Sequence, residues 1–110
     1  MPVDDEWTTL TTYLGGDSVA GDKLKETGTT HWASPNTGAT NETGFTALPG
    51  GYRPYFVAIF YDVGSRCYWW SATEFDDYDA WFRGMVYDLS DISRLYDDKR
   101  YGLSVRCVRD

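Results

Sequence analysis

Few cysteines, one histidine and no long apolar run set the outer limits of this 110-residue chain. Two cysteines, Cys67 and Cys107, exclude a disulfide-dense mini-scaffold and allow one bridge without requiring it. Cys107 alternates with Leu103 and Val105, a row in which a cysteine is expected to act as a small buried hydrophobe. His31, in Thr29-Thr30-His31-Trp32, has no cysteine, serine or carboxylate at a recognisable triad spacing, so it is expected to be a loop residue held by packing. No Gly-rich loop opens a helix after a strand, which leaves nucleotide binding without a signal. No apolar stretch approaches the ~20 residues that span a bilayer, and Met1-Pro2-Val3-Asp4-Asp5-Glu6 is not a signal peptide. Basic residues are scarce as well: ten Lys and Arg face seventeen Asp and Glu, and a net charge of -7 repels phosphate backbones and anionic headgroups. Neither nucleic acid nor membrane insertion is expected.

Aromatic side chains, by contrast, are abundant. Nine Tyr, five Trp and five Phe make up 17 % of the chain, more than packing needs, which points to recognition as well as to a core. The length predicts a single domain over residues 1–110. Trp7, Leu10 and Leu14 form an i, i+3, i+7 stripe with Asp4 or Asp5 as cap and Gly15-Gly16 as stop, a helix near residues 5–14. A second helical turn is expected over Ser18 to Lys25, with Val19 and Leu24 inward and Gly21 weakening it. Residues 26–51 carry turn chemistry, anchored by Trp32, Phe45 and Leu48. Strands are expected at Tyr55 to Tyr61, Tyr68 to Thr73, Ala80 to Asp88, Ile92 to Leu95 and Gly102 to Arg109, with turns at residues 62–65 and 97–98. Helices first and antiparallel strands after make the class α+β.

No constellation supports catalysis, so no enzyme is expected. Asp76, Asp77, Asp79, Asp97 and Asp98 match no calcium-loop spacing and are taken as solvated charge; no metal and no cofactor is expected. Between Trp69 and Gly102 two texts interleave. A framework of Trp69, Trp70, Trp81, Arg83, Met85 and Tyr87 alternates with residues sharing no chemistry, so strand geometry puts Trp81, Arg83, Met85 and Tyr87 on one face and Phe82, Gly84, Val86 and Asp88 on the other.

Asp5-Glu6-Trp7, Gly28-Thr29-Thr30-His31-Trp32, the run from Ser34 to Asn41, the run from Gly44 to Arg53, Trp69-Trp70-Ser71 and Ser104-Val105-Arg106-Cys107-Val108 together resemble the Fibrobacter succinogenes major paralogous domain family, over nearly the whole chain. The resemblance implies a C-type-lectin-like fold with one or two N-terminal helices, long ordered loops and a mainly antiparallel sheet, on proteins that are extracellular, at the cell surface or on a phage virion. Members often continue upstream of the position matching Met1 with a first strand that pairs with the last. Some such domains resemble the variable proteins of diversity-generating retroelements, in which adenines of a template are randomised. A template AAC codon changed only at its adenines cannot give Lys, Glu, Gln, Met or Trp. The positions assigned on this basis are Phe75, Asp76, Tyr78, Asp79, Phe82, Gly84, Val86, Asp88, Leu89, Asp91, Ser93, Leu95, Tyr96, Asp97, Asp98 and Tyr101, and none of them carries one of those five. Asn is also absent after residue 41.

Pro54 to Ile59 and Arg66-Cys67 depart from the family pattern. The diversified stretch could therefore begin before Trp69, with Cys67 a surface accident, or Phe56, Ala58 and Phe60 could be ordinary core. The resemblance implies a scaffold of Trp7, Leu10, Trp32, Phe45, Trp69, Trp70, Trp81, Met85, Leu103 and Val105. This scaffold presents one exposed patch of Phe82, Gly84, Val86, Asp88, Tyr78, Leu95, Tyr96 and Tyr101 to a protein or cell-surface ligand. The alternative is a non-diversified bacterial surface module binding glycan, although no Glu-Pro-Asn or Trp-Asn-Asp triplet occurs. A second rival is an enzyme of the formylglycine-generating type, whose paired reactive cysteines do not appear at a matching place in this chain.

Overall fold

The computed structural model describes residues 1–108 and orders the elements as α1 (Asp4–Tyr13), α2 (Asp17–Leu24), β1 (Arg66–Glu74), β2 (Asp79–Val86) and β3 (Ser93–Asp98), an α+β arrangement. Helix α1 starts one residue early because Val3, not Asp4 or Asp5, takes the N-cap; its N–H donates to Glu6 Oε1 at 2.9 Å. The stripe holds, with Trp7 and Leu14 buried and Leu10 packed against them. At the other end Lys23 Nζ donates to Leu14 O at 2.7 Å, a cation closing the carbonyl end of the helix.

Helix α2 presses Ala20, Gly21 and Leu24 inward, and Val19, expected inside, is exposed. A Cβ on Gly21 would stand 2.3 Å from the Asp91 carbonyl oxygen. The glycine that weakens the helix on paper is what lets it lie against the chain between β2 and β3.

Through residues 26–51 the anchors are Trp32, whose Nε1 donates to Ala47 O at 2.9 Å, Phe45, set between Trp7 and Trp69, and the fully buried Ala47. Leu48 is exposed and anchors nothing. Lys25 is 0 % exposed, and its ammonium donates to Thr37 O (3.0 Å), Val86 O (3.1 Å) and Leu89 O (2.9 Å).

The sheet order is β1-β2-β3, antiparallel throughout, with Cys67 opposite Met85, Trp69 opposite Arg83, and Phe82 opposite Leu95. Strand β3 runs to Asp98, three residues past its expected end, so the turn placed at 97–98 moves to Lys99 and Arg100. Tyr55 to Tyr61 is no strand. Tyr52 and Tyr61 exchange backbone hydrogen bonds of 3.0 and 2.8 Å, closing a loop in which Phe56, Ala58 and Phe60 are exposed rather than core. The expected last strand is reduced to single bridges from Gly102 to Arg53 and from Ser104 to Trp69; Val105 is exposed, and Arg109 lies outside the described residues.

On the face beneath the helices, Arg83 is buried against Asp4, Nη1 to Oδ1 at 2.6 Å, and Arg94 reaches the other carboxylate oxygen at 2.7 Å. Burial alone would raise the Asp4 carboxyl, but hydrogen bonds from Arg94 and Arg83 outweigh it and hold it below its ordinary value. A carboxyl depressed in the fold contributes stability above its unfolded pKa and loses it as pH falls through the folded one. Melting is therefore expected to weaken progressively below pH about 4. Asp4→Asn, which strands Arg83, should cost about 3–5 kcal/mol at neutral pH and flatten that acid slope; an unchanged slope would contradict the ion-pair account.

Lys25→Met keeps the volume but takes the ammonium donor from three carbonyls, of which Val86 O keeps only a long bond from the Leu89 N–H at 3.5 Å, and each lost bond is worth about 1–3 kcal/mol. Denaturant unfolding is expected to show a loss of at least about 3 kcal/mol, whereas a neutral result would mean water enters and replaces the ammonium.

Candidate functional site

Alternation gives the two sheet faces different neighbours. Cys67, Trp69 and Met85 join Trp7, Leu14, Leu24, Trp32 and Ile92 in the core beneath the helices. Tyr68, Trp70, Phe82, Gly84, Leu95 and Asp97 share the other face by register, and Tyr52 and Tyr101 close over it. On that face lies a dent of about 240 Å³, lined by Tyr52, Tyr68, Phe82, Leu95 and Tyr101 with Asp62, Arg66, Asp97 and Leu103. Tyr52 meets Tyr68 edge-on at 5.7 Å and Tyr101 at 6.2 Å, and Tyr68 meets Phe82 at 5.5 Å.

The sixteen sequence-assigned positions fall into three groups rather than one. Phe82, Leu95, Asp97 and Tyr101 gather at the dent, with Gly84, Val86 and Ser93 on the same sheet face. Phe75, Asp76, Tyr78 and Asp79 sit at the β1–β2 turn, where Phe75 stacks on Tyr96 at 3.7 Å. Asp88, Leu89 and Asp91 form the β2–β3 loop, which Lys25 holds by the Val86 and Leu89 carbonyls. Asp98, opposite Asp79 in register, completes the group at the β1–β2 turn, and its tie to Arg100 at 2.7 Å pulls its carboxyl down to about 2. Asp79 is pushed up, first by partial burial and then by Asp76, Asp97 and Asp98.

The expected single patch of eight therefore needs correcting. Phe82 is only 7 % exposed and Gly84 is buried, because β2 is the central strand and is flanked on this face by Tyr68, Trp70 and Leu95. A Cβ at Gly84 would stand 2.9 Å from the Tyr68 ring. Tyr96, one residue from Leu95, points to the opposite face, where Trp81 meets it edge-on at 5.3 Å. Trp81 and Trp70 are themselves half-buried rather than core, and Arg94 lies 3.5 Å over the Trp81 ring.

Sequence reasoning missed Tyr52, Asp62, Arg66 and Tyr68 at the dent, and Tyr55 beside it. Reading 55–61 as a strand hid a signal that was present: five aromatic residues between Tyr52 and Tyr61, bounded by Gly50-Gly51 and Gly64, in an order that no two-residue period sorts into faces.

Both cysteine expectations reverse. Cys67 is fully buried under the helices, not a surface accident, and Cys107 is exposed; both are free thiols. His31 is exposed and bonds Glu26 through Nδ1 at 2.8 Å, rather than being held by packing. Among the described residues no group of three or more His, Cys, Asp or Glu is placed to hold a metal ion, and no helix is long and apolar enough to cross a membrane.

Fold and faces together define an α+β domain in which two helices cover one side of a three-stranded antiparallel sheet. The family model for the Fibrobacter succinogenes major domain matches residues 1–109, and the chain belongs to that family. No curated protein and no solved structure matches the chain.

Burial pushes the Cys67 thiol up to about 12, so its nucleophilic thiolate is scarce at neutral pH. A thiol reagent at pH 8 is expected to label Cys107 alone in the native protein, with Cys67 reacting only after unfolding. Mass spectrometry of the labelled peptides checks this, and native labelling of Cys67 would overturn its placement.

Proposed function

We propose that this chain is a recognition domain: a C-type-lectin-like scaffold displaying a diversified surface, the variable protein of a diversity-generating retroelement, acting outside the cell, at its surface or on a virion. It carries out no catalysis and uses no cofactor; its ligand is a protein or a cell-surface structure. The observation that carries the reading is the contrast between the sheet faces. One carries helix α1 over β1 and β2, while beside the other Tyr55, Tyr61 and Leu95 stand exposed, with Phe56 and Phe60 in the loop that Tyr52 and Tyr61 close, an apolar and aromatic surface of the kind that marks interaction sites. Tyrosine and phenylalanine give large contact area at low entropic cost, and a rigid sheet beneath them limits what must be ordered on binding. Fourteen of the sixteen assigned positions are not buried, so most can change without disturbing the core.

Randomising Asp76, Tyr78, Asp88, Leu95, Tyr96 and Asp97 together tests this. Each exposed substitution is worth within about 0.5 kcal/mol, so most library members should melt within roughly 10–15 °C of the parent, and selection against unrelated proteins should yield binders. The same randomisation at Trp7, Trp32 and Met85 should unfold the chain, and equal damage from both libraries would end the recognition reading. In the genome, a second copy of the codons for Trp69 to Asp110 with adenine-only differences, beside a reverse transcriptase, is expected. Its absence would leave the non-diversified glycan-binding module as the reading to pursue.

A further inference from the structure

We propose that the dent between Tyr52, Tyr68, Phe82 and Tyr101 is a cage for one basic side chain, the guanidinium of an arginine or the ammonium of a lysine presented by the partner. The inference rests on the recognition reading and adds the chemistry of what is recognised. Size comes first. At about 240 Å³ the dent is smaller than the roughly 300–1,000 Å³ typical of small-molecule sites and suits a single long side chain.

Ring geometry comes second. Tyr52 stands at 77° to Tyr68 and 63° to Tyr101, and Tyr68 at 88° to Phe82, so the walls are ring faces and edges set at steep angles rather than one flat platform. Aromatic faces carry negative quadrupole density and attract cations that sit against them. The chain already uses this contact internally, with Arg94 at 3.5 Å over Trp81, Arg100 at 3.8 Å over Tyr55 and Arg106 at 4.0 Å over Phe45. Tyr55 in turn meets Tyr101, which brings one of these pairs to the edge of the dent.

Charge decides the sign of the guest. Asp62 and Asp97 line the dent, and Arg66, the one cation among the described residues that line it, is engaged: its Nε lies 3.9 Å from Asp62 and its Nη1 donates to Tyr68 Oη at 3.3 Å. Asp97 has no ion pair among the described residues. Two of the tyrosines register the surplus of negative charge. Partial burial first, then the Asp62 carboxylate, raise Tyr52, and partial burial first, then Asp97, raise Tyr101. A net charge of -7 steers a basic partner from a distance in the same sense.

The test is a nuclear magnetic resonance titration of the full chain with four capped amino acids, the amides of Nα-acetyl-arginine, -lysine, -norleucine and -glutamate. Amide and ring signals of Tyr52, Gly84, Leu95 and Tyr101 are followed. Arginine and lysine are expected to shift them saturably in the millimolar range, with norleucine and glutamate at least about ten-fold weaker. Asp97→Asn should weaken arginine binding about three-fold or more, and Tyr101→Leu about five-fold or more, with melting little changed in either variant. Equal binding of norleucine, tighter binding of glutamate, wild-type affinity in Asp97→Asn, or no saturable shift with either cation up to about 50 mM would each overturn the cage. Binders selected from a library that keeps Asp97 and Tyr101, but indifferent to losing them, would sink the cage while leaving the recognition reading standing. A dent that fills with arginine on a chain whose libraries yield no binder would do the reverse.

Discussion

The ammonium of Lys25 is the constraint on which the long irregular part of this molecule hangs. A charge with no exposed surface must find full hydrogen-bonding compensation inside, and this one finds it in three backbone carbonyls from two distant stretches, Thr37 on one side and Val86 and Leu89 on the other. Its backbone meanwhile pairs with Ala47, and the Trp32 ring stands 5.6 Å from its nitrogen. One residue at the end of α2 thus joins the helix, the turn-rich segment of residues 26–51 and the connection from β2 to β3. Burial holds its pKa below the ordinary lysine value, and the carboxylates of Asp22, Asp88 and Asp91 offset only part of that. A bound metal ion could order these loops in the same way; here a side chain supplies the cation.

From that constraint the division of labour in the sheet follows. Lys25 and the loop it gathers lie on the helical side, with the core of Trp7, Trp32, Cys67, Trp69 and Met85, while the Asp4–Arg83–Arg94 cluster clamps α1 to the central and edge strands. The opposite face carries no helix, and what covers it is chain outside the strands: the loop before β1 closed by Tyr52 and Tyr61, and the stretch after β3 around Tyr101. Loops held by a rigid scaffold are where proteins place binding groups. The aromatic richness of the chain divides along the same line, with tryptophans mainly on the helical side and tyrosines mainly around the dent.

How much of this was legible depended on whether a segment's neighbours were also its neighbours in sequence. The Trp7, Leu10, Leu14 stripe is a local pattern, and α1 formed where it predicted. Alternation along β2 was read correctly as to which side chains share a face. It could not say that Phe82 and Gly84 would be covered, since that depends on Tyr68, Trp70 and Leu95 arriving from two other strands. Tyr55 to Tyr61 failed as a strand because β-rich composition describes a fit to neighbouring strands, and among the described residues the one bridge partner this stretch finds is Tyr52, across its own loop. Cys67 and Cys107 exchanged expected roles for the same reason: a cysteine's burial is set by what packs over it.

The sequence by itself determined the α+β class, the family, the approximate places of both helices and the sheet strands, and the acidic, aromatic character of any binding surface, because composition, periodicity and motif are properties of the covalent chain. Only the tertiary structure decided that the sixteen candidate positions divide into three groups, that Tyr96 and Leu95 serve opposite faces, and that Tyr52 and Asp62 from the chain before β1 join Arg66 and Tyr68 of β1 at the site. Those outcomes depend on contacts between residues far apart in the chain, and such contacts exist only in the folded molecule, where Lys25 and Asp4 each tie distant stretches together.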